Sequence, residues 1–156
     1  MIHEGLPFSY GIDAPEYGYA IPESERERRA VLGEEQCEID GEHFFVRGRI
    51  RIPVLDAPDD FEWGAWVSLS PRNYRRMAEL WCRPGREAEP PYFGWLSTAL
   101  PYEPSTLNLK TLVHTRPVGE RPLIELEPTD HPLALEQRRG ITLERVQEIA
   151  ERLLHE

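Results

Sequence analysis

His114 and Glu125 are the two side chains of this sequence whose types and spacing best suit acid–base chemistry. They lie on either side of a Pro-Val-Gly-Glu turn at residues 117–120, in two segments with strand character. A hairpin across that turn with Arg116 opposite Leu123 places His114 directly opposite Glu125, so that the imidazole and the carboxylate share one face. A histidine oriented by a carboxylate can act as a general base. Asp130 and His131 follow closely and complete the candidate catalytic set.

The same four residues also have a structural interpretation. A single histidine–carboxylate pair on a half-exposed strand face is an ordinary cross-strand polar pair, and Asp130 or His131 can cap a helix. No motif places a serine or cysteine nucleophile, and the sequence contains no phosphate-binding loop. We therefore favour the structural interpretation and keep a small hydrolase or isomerase as the alternative function.

Three arginines occupy alternate positions of one predicted strand and form an arginine ladder, consisting of Arg47, Arg49 and Arg51. Their side chains share one face and are spaced about 6.6 Å apart along the strand. Such a ladder can bind a carboxylate-rich partner or a phosphorylated ligand. Glu62 on the next predicted strand can instead neutralise the arginines inside the protein, and we expect this structural pairing.

Two tryptophans, Trp66 and Trp95, are further candidate binding residues. Trp66 belongs to the second long predicted strand, and Trp95 lies in the aromatic, proline-bounded segment 90–104. Residues of this type mostly pack in a core, although an aromatic rim at the mouth of a pocket produces the same pattern. We expect segment 90–104 to be an ordered loop or a short strand that covers a sheet.

The strands that position these residues are predicted by alternating apolar side chains. The clearest hairpin joins residues 36–39 to residues 42–52 across Asp40-Gly41, because Asp-Gly readily adopts the positive φ angles of a type I′ turn. Further strands are predicted at residues 62–70, 110–116 and 121–127.

Helical patterns occur between and after the strands. Residues 23–32 are predicted to form a helix that ends at Gly33. Residues 71–81 form another, with Ser70 as the N-cap and a proline at the first helical position. Two C-terminal helices follow at residues 130–140 and after Thr142, and the second should dock on the sheet through its apolar stripe.

The whole chain, residues 1–156, is predicted to form a single domain, because 156 residues with 40% hydrophobic content suffice for one core. Residues 1–22 are an extended N-terminal arm, residues 36–127 contain the sheet with one inserted helix, and residues 130–156 contain the C-terminal helices. The predicted class is α+β, with an antiparallel sheet built from hairpins and helices packed on one face.

The formal net charge of −10 disfavours nucleic acid as a partner and suits a protein partner with basic character. Two cysteines without a Cys-x-x-Cys pair, and the lack of a secretory signal, predict a reducing cytoplasm. No apolar run approaches the length needed to cross a membrane.

Several long phrases of the chain resemble a bacterial family catalogued as domain of unknown function 2199. They include FFVRGRIRIPV, FEWGAWVSLS, PPYFGWL, GITLERVQEI and the long segment from TLNLKTLVHTRPVGERPLIELEP onward. The resemblance covers almost the whole chain, and it implies no activity.

The resemblance also implies a zinc site in longer relatives, in which a Cys-x-x-Cys-Gly pair precedes the phrase seen here as His3 to Pro7. Thiolates and an imidazole can complete a tetrahedral zinc site. Only His3 and Cys37 would remain of that site in this chain. We therefore expect no metal and no other cofactor here.

Together these observations predict a cytoplasmic binding or protein-interaction module, such as an acidic inhibitor or immunity-type partner of a basic protein. The acid–base enzyme that would use His114 and Glu125 is the alternative.

Overall fold

The computed structural model describes residues 6–154, in which the alternating apolar segments form eight strands. The strands are β1 (Ser9–Tyr10), β2 (Ala30–Leu32), β3 (Gln36–Ile39), β4 (His43–Ile52), β5 (Phe61–Leu69), β6 (Tyr92–Leu96), β7 (Lys110–His114) and β8 (Leu123–Leu126). The helices of these residues are α1 (Glu16–Tyr19), α2 (Glu23–Arg29), α3 (Pro71–Glu79), α4 (Pro132–Arg139) and α5 (Leu143–Leu154), with a short 3₁₀ helix at Arg86–Ala88. None of these helices combines the length and the apolar character needed to cross a bilayer.

The β3–β4 hairpin forms as predicted. Asp40 and Gly41 have φ angles of 54° and 64°, as the type I′ turn requires. Strand β4 then pairs with β5 in an antiparallel register that runs from Phe44 opposite Leu69 to Ile52 opposite Phe61. This long pair is the centre of the fold.

The sheet closes into a five-stranded barrel in the order β5, β6, β7, β8 and β4, with β4 paired again to β5. Closure occurs between β4 and β8, which are parallel and meet at Arg49 and Leu123. Gly48 permits this approach, because a Cβ atom there would lie 2.8 Å from Pro122 O and 2.9 Å from Ile124 Cγ1. The prediction of an α+β fold is confirmed, but the antiparallel sheet of hairpins describes only part of it.

Helices α3 and α4 contact opposite ends of strand β4. Helix α3 stacks Tyr74 on Phe44, near the beginning of β4. Helix α4 reaches the opposite end of β4 and of β8, where the Gln137 amide donates to Ile124 O at 2.9 Å. Helix α5 buries Val146 and Ile149 in the same core. The predicted docking of the last helix is therefore confirmed, and α3, α4 and α5 all contribute side chains to the same core.

Helix α2 is shorter than its sequence pattern predicts. It ends at Arg29, and Ala30–Leu32 form strand β2 beside β3. Pairing of their backbone with β3 therefore prevails over the helical pattern of these three residues. Segment 90–104 contains a strand, β6, which pairs with both β5 and β7.

A second, smaller apolar cluster lies outside the barrel and consists of Ile21, Cys37, Ile39, Phe45 and Trp66. The N-terminal segment packs against the body near this cluster. Its strand β1 pairs with β5 in parallel, and the Trp66 indole donates to Ile12 O at 2.8 Å. Residues 6–22 thus form an arm fixed to the barrel, with the single-turn helix α1 within it.

Candidate functional site

Five arginines line a cleft of about 700 Å³, which we call the arginine cleft. Four separate parts of the chain form it: the β2–β3 turn, the β4–β5 pair, the segment after α3, and the β7–β8 loop at residues 115–122. Its lining consists of Glu35, Arg49, Arg51, Glu62, Trp81, Cys82, Arg86, Arg116, Val118, Gly119, Glu120 and Arg121.

Glu62 is a shared counter-ion for two members of the arginine ladder. Arg49 Nη1 donates to Glu62 Oε1 at 2.7 Å, and Arg51 Nη2 lies 3.0 Å from Glu62 Oε2. Partial burial of the carboxyl opposes its ionisation, but the hydrogen bonds from both arginines outweigh that effect and lower the pKa of Glu62. The structural pairing predicted for the ladder is present at these two positions.

Arg47 is separated from the other two arginines of the ladder. Its guanidinium lies over the Trp66 ring, 5.6 Å from the ring centroid, and Nη1 donates to Glu34 O at 3.3 Å. Trp66 itself is fully buried in the outer apolar cluster. Trp66 is therefore a core residue, and its candidate role as a surface binding residue is corrected.

Arg116 lies in a region of excess positive charge. Its Nε donates to Arg121 O at 2.6 Å, and its nearest carboxylate, on the exposed Glu120, is 3.6 Å away. Partial burial, followed by the charge of Arg51, lowers the pKa of Arg116, although Glu120 and Glu62 act in the opposite direction. A guanidinium whose charged form is disfavoured by neighbouring cations is stabilised by any anion that enters.

Arg86 holds the loop that carries Arg116. It is only 7% exposed, and its Nε donates to Arg116 O at 2.7 Å while Nη2 reaches Pro117 O and Glu120 O at 3.1 Å. Its remaining hydrogen bond goes to Trp81 O, and the guanidinium lies over the Trp81 ring. Within residues 6–154 all four acceptors are backbone carbonyls, so no carboxylate neutralises this buried charge.

The charge of the cleft is opposite in sign to that of the protein. Five arginines and three glutamates line it, which leaves a net charge of +2, whereas the chain carries −10. Arg121 is paired with Glu35, at 2.9 Å between Nε and Oε2, and Glu62 is shared between two arginines. The excess therefore resides on Arg86, on Arg116 and on the Arg49–Arg51 pair. Such a concentration of cations favours an anionic ligand.

The predicted contact between His114 and Glu125 is present in a different register. His114 pairs with Leu123 and Glu125 pairs with Leu112, two residues away from the predicted alignment. The side chains still meet diagonally, with 2.9 Å between His114 Nε2 and Glu125 Oε1. Both are substantially exposed to solvent. Whether the pair does acid–base chemistry stays a hypothesis.

Asp130 and His131 do not join that pair. His131 is the N-cap of α4, where Nδ1 accepts from Leu133 N at 3.0 Å and Nε2 lies 2.8 Å from Pro104 O. It follows the end of β8 that is farther from His114, and Asp130 is exposed beside it. The predicted four-residue constellation is corrected to a pair, because α4 uses His131 as its cap.

Trp95 is exposed, in contrast to Trp66. It is 42% accessible and meets Phe93 edge to face, with ring centroids 5.0 Å apart. Phe93 is also opposite the exposed Leu112 on β7. Trp95 therefore belongs to an apolar patch on the outer face of β6 and β7, away from the arginine cleft.

The side chains near Cys37 do not fit a zinc site. Cys37 is buried in the outer apolar cluster, and this burial raises the pKa of its thiol to about 11. The other remnant ligand, His3, lies outside the described residues. Among residues 6–154, no three histidine, cysteine, aspartate or glutamate side chains are grouped so that they could hold a metal.

Sequence reasoning missed Arg86, Arg116 and Arg121. The last two flank the turn of a predicted hairpin, where arginines are usually solvated, and nothing local indicates that this loop meets β4. The only sequence indication was the presence of two arginines around a Pro-Val-Gly-Glu turn. Arg86 lies in an apparently polar loop segment, and its burial depends on contacts some 30 residues away.

Comparison with known proteins adds a family but no activity. No curated protein and no solved structure matches the chain. The family described as an uncharacterised protein conserved in bacteria matches residues 1–141, and the phrases noted in the sequence fall largely within that range. The chain therefore belongs to this bacterial family, domain of unknown function 2199 (DUF2199).

Proposed function

We propose that this protein is a binding module whose ligand is an anion and whose binding site is the arginine cleft. The observation that supports the proposal is the environment of Glu62, one carboxylate that is hydrogen-bonded to both Arg49 and Arg51. The other carboxylates near these arginines are half-exposed and more distant, with Asp60 3.8 Å from Arg51 and Glu120 3.6 Å from Arg116. An anion that enters the cleft would relieve this imbalance.

The arginines are ordered before any ligand arrives. Glu62 fixes Arg49 and Arg51, and Arg86 fixes the backbone from which Arg116 projects. Long side chains normally lose rotamer entropy when they bind a ligand, and groups that are already ordered lose less. These ion pairs would therefore lower the entropic cost of binding an anion in the cleft.

The proposal can be tested by calorimetric titration with inorganic anions at low ionic strength. Arg116→Gln should weaken binding by about ten-fold or more, since a charge-assisted contact to the anion is lost. Arg28→Gln is the matched control, because Arg28 is highly exposed on α2 and the substitution changes the net charge equally. Equal weakening by both substitutions, or no anion binding by the wild-type protein, would contradict the proposal.

A second candidate function is the capture of a protein partner in the cytoplasm, as an inhibitor or immunity-type protein. The exposed patch of Phe93, Trp95 and Leu112 favours this function, because clustered exposed aromatic residues commonly serve as binding anchors. The acidic chain would suit a basic partner. Trp95→Ser should then abolish co-purification of one defined native partner, whereas Tyr19→Ser, an equally exposed aromatic outside the patch, should preserve it.

The acid–base alternative rests on the contact between His114 and Glu125. Glu125 also lines a groove of about 280 Å³ together with Phe93, Leu112 and Pro128. A small substrate in this groove would lie near the carboxylate. If the protein is a hydrolase or isomerase of this kind, His114→Gln should abolish turnover while leaving anion binding at the arginine cleft unchanged.

A further inference from the structure

Three arginines and one glutamate form the centre of the arginine cleft. Arg49 and Arg51 share Glu62, and their charges also act on Arg116. Glu62 is the closest carboxylate, whereas Asp60, 3.8 Å from Arg51, and Glu120, 3.6 Å from Arg116, are more distant and half-exposed. The lining of the cleft as a whole keeps an excess of two positive charges. One carboxylate ligand would cancel half of this excess, and a dianion would cancel all of it.

Several donors of these guanidiniums are still available. Glu62 takes the hydrogen bonds of Arg49 Nη1 and of Arg51 Nε, and Arg116 Nε is used by Arg121 O. Within residues 6–154, no acceptor is hydrogen-bonded to Arg49 Nε, Arg51 Nη1 or Arg116 Nη2. A group with three acceptor oxygens can use more of these donors than a carboxylate with two.

The cleft also contains an apolar wall. Trp81 and Val118 line it, and Val118 on the β7–β8 loop is 46% exposed. The volume of about 700 Å³ exceeds what a bare inorganic ion occupies and falls in the range typical of small-molecule sites. A ligand with a compact anionic group and an apolar organic body would match this lining.

We infer that the arginine cleft binds small phosphate monoesters in their dianionic form, an inference that rests on the proposed anion-binding function. The phosphate lies among Arg49, Arg51 and Arg116, opposite Glu62. The organic part contacts Trp81 and Val118. A phosphate monoester carries about −1.5 to −2 charges at pH 7 and three acceptor oxygens, which matches both the charge excess and the available donors.

The ligand, rather than the protein, should set the pH dependence of binding. The acidic and thiol groups that face the cleft are Glu35 from the β2–β3 turn, Glu62 from β5, Glu120 from the β7–β8 loop and Cys82 after α3. The cations are the five arginines named above, and the lining contains no histidine. Phosphate monoesters lose their second proton near pH 6, so the dianionic fraction rises about ten-fold between pH 5 and pH 7.

The test is calorimetric titration of the whole chain with phenyl phosphate, and with benzenesulfonate as a monoanion of similar shape. Phenyl phosphate should bind about ten-fold more tightly at pH 7 than at pH 5, following its dianionic fraction. Benzenesulfonate should bind more weakly, with no comparable change. Equal affinity for both ligands at both pH values would overturn the phosphate inference and leave anion binding intact, whereas binding of neither would overturn both.

Two variants locate the site. Arg116→Gln should weaken phenyl phosphate binding at least ten-fold, and the matched Arg28→Gln should leave it nearly unchanged. Val118→Glu places a repelling carboxylate on an exposed loop residue, so it should abolish phosphate binding while the melting temperature is preserved. Full binding by the Val118→Glu protein would place the phosphate elsewhere and overturn the inference, even if Arg116→Gln fails to fold.

Discussion

His114 Nε2 lies 2.9 Å from Glu125 Oε1, although the two residues are not directly opposite each other in the β7–β8 pair. The register is shifted by two residues from the predicted alignment, and a shift of two keeps both side chains on the same face. The last paired residues are His114 and Leu123. The connection is therefore the eight-residue loop 115–122 rather than a tight turn, and that loop carries Arg116 and Arg121 to the cleft.

The contact between His114 and Glu125 should contribute little to stability. Exposed pairs of this kind are worth about 0 to 1 kcal/mol, because water screens the charges. His114→Gln should therefore change the free energy of unfolding by less than about 1 kcal/mol, as measured by urea denaturation. A much larger loss of unfolding free energy would contradict the solvent exposure of these two side chains.

Closure of the barrel should depend on having a glycine, which carries no side chain, at position 48. In a Gly48→Ala protein the new Cβ would meet Pro122 O at 2.8 Å, and a backbone atom cannot move aside cheaply. We expect a loss of about 1 to 3 kcal/mol in unfolding free energy. Gly33→Ala is the matched control, because its nearest neighbour, Gln36 O, is 3.5 Å away. Similar stability of both proteins would mean that β8 does not approach β4 this closely.

Arg86 should be a major stabilising residue of the cleft. Arg86→Met removes four hydrogen bonds to backbone carbonyls, three of them in the β7–β8 loop. We expect the free energy of unfolding to fall by about 2 to 4 kcal/mol. The reason is that the carbonyls lose a charged donor and must form hydrogen bonds with water instead. Arg86→Lys should recover little of this stability, because an ammonium cannot reproduce the planar fork. Limited proteolysis should cut the Arg86→Met protein rapidly within residues 115–122, which would show that this loop has lost its attachment.

Glu62 should make stability depend on acid pH. Its pKa is lower in the folded protein than in the unfolded chain, where a glutamate titrates near 4.3. Its stabilising contribution is therefore complete above that value and is lost as the pH falls through the folded pKa. The melting temperature of the wild-type protein should fall more steeply below pH 4 than that of Glu62→Gln. Parallel curves for the two proteins would contradict the ion pairs with Arg49 and Arg51.

Local features of the chain were predictable where the physical cause was local. The Asp40-Gly41 turn and the start of α3, where the Ser70 side chain accepts from Asn73 N, depend on a few adjacent residues. Closure of the barrel depends on Gly48 meeting a strand far along the chain, and no pattern within β4 reveals its partner. The end of α2 at Arg29 is likewise decided by pairing with β3.

In the candidate site, too, the contacts between neighbouring strands were predictable and the distant ones were not. Pairing of Arg49 and Arg51 with Glu62 followed from two neighbouring strands of alternating residues. The loop arginines could not be assigned, because their position depends on the register of β7 and β8 and on the buried Arg86. The sequence therefore identified the arginines on β4, whereas the arginines of the β7–β8 loop join them only because the barrel closes.

The parallel contact between β4 and β8 also has a consequence for synthesis of the chain. Ribosomes make the β4–β5 pair first, and the loop at residues 115–122 emerges only much later. Until β8 joins β4, the nascent chain has Arg49 and Arg51 on an open sheet and lacks the opposite wall of the cleft. Completion of the cleft therefore requires a contact between segments far apart in the sequence, and contacts of this kind slow folding. A ligand bound in the cleft would indicate that the barrel has closed.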